Sequence, residues 1–155
     1  MSSTEPSTML HVPYAANRWA RAVEIIVLSR TDPRTVSSWG RLAGASRATV
    51  GVWCRAAHVS TKPSLDLGRL LRAIRLTGGV IDELQGVMDV VDPRTVERIL
   101  CRAGIRPSDD VGALHGPRLL AAQRLVTNAS ALQALAQRLG CNDERGDGSR
   151  ISWCG

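Results

Sequence analysis

The chain has 155 residues, 44% of them hydrophobic, enough to build a core for one domain or two small ones. Phenylalanine is absent and only four tryptophans and one tyrosine occur, so that core has to be aliphatic. A formal net charge of +6, no apolar run long enough for a bilayer and no basic stretch leading into an apolar one exclude an acidic disordered chain, a membrane span and a secretory leader; the expected location is cytoplasmic.

The opening residues, rich in Ser, Thr and Pro, are expected to form a disordered tail over 1–14. A helix follows from Ala15 to Ser29, because Trp19, Ala22, Val23, Ile26 and Val27 recur on one helical face. Asp32-Pro33 predicts the next start, an N-cap followed by proline at the first helical position, opening a short helix to Leu42. Gly44-Ala45 breaks it, and Ser46 caps a further helix whose Val50, Trp53, Cys54 and Ala57 make one apolar stripe. After a turn at Ser60-Thr61-Lys62-Pro63, a longer helix from Ser64 to Thr77 sets Leu67, Leu70, Leu71 and Ile74 on one side and Arg69, Arg72 and Arg75 on others.

Gly78-Gly79 ends that helix, and a short one from Val80 to Asp89 turns Ile81, Leu84 and Met88 inward. Asp92-Pro93 caps another, with Val96, Ile99, Leu100 and Ala103 inward and Gly104 and Pro107 as stops. Helices near 117–126 and 130–139 close the fold, and the polar, glycine-rich end is expected to be flexible over 141–155. Asp-Pro-Arg-Thr-Val occurs twice, at 32–36 and 92–96; both copies are good helix starts, so the echo reads as shared capping chemistry rather than a duplicated unit. No alternating apolar and polar run is bounded by hairpin signals, so the expected fold class is all-α.

The charge is unevenly placed. Residues 30–106 hold 13 basic against 7 acidic residues and the rest of the chain holds 7 of each, so the whole excess lies in that stretch. All the basic residues are Arg except Lys62. The forked guanidinium suits phosphates and guanine edges. A GC-rich genome also raises Arg over Lys, but it does not explain the clustering. Cys54 and Cys101 fall at apolar-periodic positions and Cys141 and Cys154 in the polar end; no CxxC pair or Cys/His cluster has zinc spacing, so the expectation is reduced core thiols and no metal.

The stretch from Val36 to Arg55 reads as helix, tight glycine turn, helix, the pattern of a helix-turn-helix, which leaves the outer face of its second helix free for a groove. Leu84, Val90, Asp92, Pro93, Val96 and Arg98 repeat the architecture. The succession of Leu42-Ala43-Gly44-Ala45-Ser46-Arg47-Ala48-Thr49-Val50, Leu70-Leu71-Arg72-Ala73, Val90-Val91-Asp92-Pro93-Arg94-Thr95-Val96-Glu97-Arg98 and Gly104-Ile105-Arg106-Pro107 resembles the DNA-binding domain of AraC-type transcription regulators over about residues 20–107. The order and spacing match, whereas the family's Gly-Phe at the second turn is Asp89-Val90 here, and Val96, Leu100 and Cys54 stand where the family has Phe.

The resemblance implies two helix-turn-helix units, 15–63 and 80–107, joined by a linker helix over 64–79, with C-terminal helices over 108–140. It implies double-stranded DNA as the partner, with RNA polymerase or another regulator as further candidates. The implied contacts are Ser46, Arg47, Thr49 and Arg55 in the first unit and Arg94, Thr95, Arg98 and Arg102 in the second. Ala48, Gly51 and Val52 leave the first reading helix poor in polar groups, so it is expected to contribute methyl and phosphate contacts, and Arg98 is the best candidate for a guanine. A linker of about 14 helical residues spans roughly 21 Å, and one helix diameter more approaches the ~34 Å between successive major grooves on one face of the duplex.

Enzymatic activity is not expected. His11, His58 and His115 are scattered, Asp82-Glu83 and Asp109-Asp110 read as helix-start carboxylates, and there is no glycine-rich phosphate loop, so neither catalytic residues nor a cofactor are assigned. The alternative reading is a helical adaptor or antagonist that binds another regulatory protein through the same scaffold. Oligomeric state stays open.

Overall fold

The computed structural model describes residues 6–78, 81–90, 92–106 and 117–140. Eight helices occur among them: α1 (Pro6–Leu28), α2 (Val36–Leu42), α3 (Arg47–Ala56), α4 (Thr61–Thr77), α5 (Ile81–Val87), α6 (Arg94–Arg102), α7 (Pro117–Ala122) and α8 (Ala129–Arg138). The described residues contain no strand, and the protein is all-α.

The apolar stripes fix the packing. Trp19, Ala22, Val23, Ile26 and Val27 of α1 are all buried, and α1 packs against α3 and α4 and against α8. α4 is enclosed almost all round, since every residue from Ser64 to Ile74 is buried. Gly68 sets the α1–α4 crossing: a Cβ there would lie 2.8 Å from Ile26 Cδ1. The two tryptophans each anchor a junction by their indole N–H, Trp19 donating to Ser64 Oγ at 3.0 Å and Trp39 to the Ala22 carbonyl at 2.8 Å.

The polar side of α4 is interior as well. Arg69 makes a bidentate pair with Asp32, Nε to Oδ1 at 2.9 Å and Nη2 to Oδ2 at 2.8 Å, with only 4% and 2% of the two side chains exposed. The same carboxylate accepts the Asp89 N–H at 2.7 Å. Arg72 donates to the carbonyls of Ser29, Arg30 and Val87 at 2.9, 2.7 and 2.8 Å, and Arg75 to that of Val27 at 2.8 Å. α1 ends without a glycine cap, and arginines from α4 meet the backbone there: Arg75 the Val27 carbonyl in the last turn, at the negative end of the helix dipole, and Arg72 those of Ser29 and Arg30 in the loop that follows. Burial pushes the Arg72 guanidinium below its usual range, with the nearby Asp32 acting in the opposite direction.

Several boundaries differ from the sequence expectation, each for a local reason. α1 starts at Pro6, so residues 6–14 are helical where a tail is predicted; proline suits the first turn, whose N–H groups have no partner in the helix. Residues 60–63 are not a turn either. Thr61 to Pro63 form the first turn of α4, where proline lacks nothing, and Ser64 Oγ donates to the Ser60 carbonyl at 2.6 Å.

The first Asp-Pro-Arg-Thr-Val copy does not start a helix at Pro33. Asp32 is engaged by Arg69, and Thr35 becomes the N-cap of α2, its hydroxyl accepting the Ser38 N–H at 3.0 Å. In the second copy the N-cap of α6 is Pro93 rather than Asp92, and Asp92, one residue earlier, accepts the Arg94 N–H at 3.0 Å. α7 stops at Ala122 rather than 126 because the buried Gln123 side chain takes over the backbone partners: its Oε1 accepts from the N–H groups of Leu125 and Val126, and its Nε2 donates to the Val126 carbonyl. Leu42 is 38% exposed, and Cys101 is exposed against the expectation of a core thiol. The expected end of the second unit at Pro107, the terminal segments 1–5 and 141–155, and the second glycine of Gly78-Gly79 lie outside the described residues.

Because the Asp32–Arg69 pair is buried and bidentate, removing one partner leaves an uncompensated charge. Arg69→Ala is expected to lower stability by about 3–5 kcal/mol in urea unfolding. Arg34→Ala, which breaks only the half-exposed 3.7 Å pair with Asp89, is expected to change it by less than about 0.5 kcal/mol. Equal effects of the two would remove the central role given to Asp32.

Candidate nucleic-acid interface

α2 and α3 form the first helix pair, and the chain between them is built for close crossing. Gly44, at φ +68°, closes α2: the Ala45 N–H reaches back to the Gly40 carbonyl at 2.8 Å and the Gly44 N–H to that of Arg41 at 3.2 Å. The tight approach falls at Gly40, where a Cβ would lie 2.7 Å from the Ala45 carbonyl oxygen and 3.2 Å from Ser46 C. Ser46 then caps α3, its Oγ accepting the Thr49 N–H at 3.1 Å and lying 2.9 Å from Thr49 Oγ1. The hydroxyls of Ser46 and Thr49, both predicted contacts, are therefore joined to each other at the start of the helix.

α3 buries Val50, Cys54 and Ala57 and turns Arg47, Ala48, Val52 and Arg55 outward. Trp53, expected in the stripe, is half-buried at its edge, where the Arg18 guanidinium lies over its ring at 5.7 Å and over Tyr14 at 5.4 Å. The helix ends with His58 in the left-handed region, φ 57°, where the Val59 N–H returns to the Cys54 carbonyl at 3.0 Å. This backbone position, rather than chemistry of the imidazole, accounts for His58.

Between the outward face of α3, the start of α2 and the first turn of α4 lies an open groove of about 830 Å³. Ala48, Gly51, Val52 and Val36 give it an apolar lining, Arg47, Arg55 and Lys62 give it charge, and no acidic residue lines it among the described residues. Lys62 is the member that the sequence reading omits, because it was placed in a turn. Once residues 61–63 are helical, its i,i+4 relation to Asp66 brings Nζ to 3.3 Å from the buried Oδ1.

The second pair, α5 and α6, is joined by residues 88–93, a longer connection than 43–46. α6 buries Val96, Ile99, Leu100 and Ala103, as its spacing predicts. Of its predicted contacts, Arg94 is exposed and Thr95 half-buried. Arg98 lies 3.6 Å from Asp92 in an exposed pair. Arg102 reaches inward to the buried Asp66, Nη2 to Oδ2 at 2.9 Å, which ties α6 to α4. The eight predicted residues thus fall into two groups, Ser46, Arg47, Thr49 and Arg55 along α3 and the others along α6, with Arg102 and Lys62 meeting at Asp66.

Among the described residues no group of three or more His, Cys, Asp and Glu side chains could hold a metal, and no helix is long and apolar enough to cross a membrane. Cys54 is buried and unpaired, and burial pushes its thiol up, against hydrogen bonds from Thr61 and Ser64. Comparison with protein-family models, with curated proteins and with solved structures finds no match for this chain.

Two expectations follow from this geometry. Gly40→Ala drives a methyl into the Ala45 backbone and is expected to cost about 1–3 kcal/mol of stability. In a chain carrying Cys141→Ser and Cys154→Ser, an aromatic disulfide reagent is expected to titrate Cys101 at once and Cys54 only on unfolding; rapid reaction of both would contradict the buried position of Cys54.

Proposed function

We propose that the protein binds duplex DNA in a sequence-dependent way, as a transcription regulator of the AraC type. The observation that carries the reading is the outward face of α3, a helix anchored by a buried stripe whose free side is flanked by Arg47, Arg55 and Lys62 with no acidic residue along the groove. Such a face neutralises phosphates while a helix enters the major groove. The resemblance in order and spacing over residues 20–107 supports the same reading, and Arg94 and Arg98 of α6 supply a second set of outward cations. Arg102, held by Asp66, serves this reading as a positioning residue first and a phosphate contact second.

The second reading is an adaptor that binds another regulatory protein on the same scaffold. Its support is apolar exposure around the first unit, Val52 at 51% and Leu42 at 38%.

Salt dependence separates the two. Affinity for a duplex is expected to fall steeply between low and moderate salt, with a log–log slope of several units, and Arg55→Ala is expected to reduce that slope by about 1 while weakening all sequences alike. Arg98→Ala is expected to cost about 1–3 kcal/mol on the preferred site and to relax preference at one base pair. A flat salt response, or no binding to a diverse duplex pool, would favour the adaptor.

A further inference from the structure

Four glycines lie within helices of the two pairs and the helix between them: Gly40 and Gly68 have an internal cause, whereas Gly86, in the last turn of α5, and Gly51, in the middle of α3, do not. Gly40 and Gly68 face atoms at 2.7 and 2.8 Å from where a Cβ would stand. Gly51 does not. A Cβ there would meet only the Arg55 Nη1 atom at 3.6 Å, an ordinary contact with the end of a flexible side chain, and its φ is not positive. Glycine in a helix centre is less stable than alanine. The bare backbone at 51 is therefore without a cause inside the fold, and it opens into the groove beside Ala48 and Val52.

Ala48, Gly51 and Val52 themselves offer no side-chain donor or acceptor, so these three can meet a base edge only by apolar contact, with the donors of Arg47 and Arg55 at the border. In the major groove one base feature is read without hydrogen bonds, the C5 methyl of thymine. The surrounding charge selects the same partner: Arg47, Arg55 and Lys62 border the apolar floor with no acidic counterpart lining it, which complements a continuous polyanion.

We propose that the groove on α3 is a thymine-methyl reader. Ala48 and Val52 contact the methyl groups, Gly51 lets the helix backbone approach the base edge, and Arg47, Arg55 and Lys62 hold the adjoining phosphates. The inference rests on the DNA-binding reading and adds to it the base that the first unit selects and the residues that select it.

The test uses the full chain and duplexes it selects from a random-core pool. Each thymine of the selected duplex is replaced in turn by uracil, which removes the methyl and nothing else. At one or two positions binding is expected to weaken about fourfold, the factor for exposing one methyl-sized group, and the difference between thymine and uracil is expected to vanish in Val52→Ser. Gly51→Ala is expected to raise the thermal midpoint and yet to weaken duplex binding, opposite signs that loss of folding cannot produce.

If duplexes are bound but uracil is tolerated everywhere, or if Gly51→Ala binds as well as the parent, the methyl reading is overturned while DNA binding stands. If no duplex is bound at any salt, the DNA-binding reading itself fails and the inference with it, and the groove becomes the seat of an acidic protein partner.

Discussion

The fold turns on one buried carboxylate. Asp32 lies in the loop after α1, receives both arms of Arg69 from α4, and takes the N–H of Asp89 from the segment after α5. Three stretches far apart in sequence are thereby fixed at one point. Withdrawing the charges from water is costly, and only geometry this complete offsets it. Arg72 and Arg75 extend the arrangement on backbone carbonyls, Arg75 at Val27 in the last turn of α1, where the carbonyls are partial anions, and Arg72 at Ser29 and Arg30 in the loop after it. α4 is thus bolted to α1 and α5, and α3, packed on α1 and α4, takes its orientation from that frame.

What the sequence made legible was the apolar half of this arrangement. The stripes of α1, α4 and α6 lie in the core where helical spacing puts them, and the class follows from them. The polar half was hidden. Asp-Pro at 32–33 and at 92–93 is the same local signal, yet only Asp92 bonds the backbone at the start of its helix, since Arg69 competes for Asp32 from 37 residues away. Local chemistry cannot show which copy a distant guanidinium will claim. Pro63 misled in the opposite direction, because a proline marks a turn and the first turn of a helix equally well.

Charge counting was misleading for a related reason. On a helical wheel Arg69, Arg72 and Arg75 stand on the polar side of an amphipathic helix, which is normally the solvated one. Here that side is covered by the end of α1 and the segment after α5, and Arg69 and Arg72 are buried. Part of the basic excess over 30–106 therefore stabilises the fold and offers nothing to a ligand. The candidate interface is carried by fewer cations than the composition suggests, and their value lies in placement around one groove rather than in number.

Asp66 links that groove to α6. Its side chain is almost wholly buried, Oδ2 faces Arg102 of α6 at 2.9 Å, and Oδ1 lies 3.3 Å from Lys62 Nζ without an aligned hydrogen bond. Lys62 is thus held by charge rather than by directed bonding. Arg102 lies closer and sets a second counter-charge on the carboxylate. The border of the groove and the helix α6 thus share one buried carboxylate, which ties both to α4.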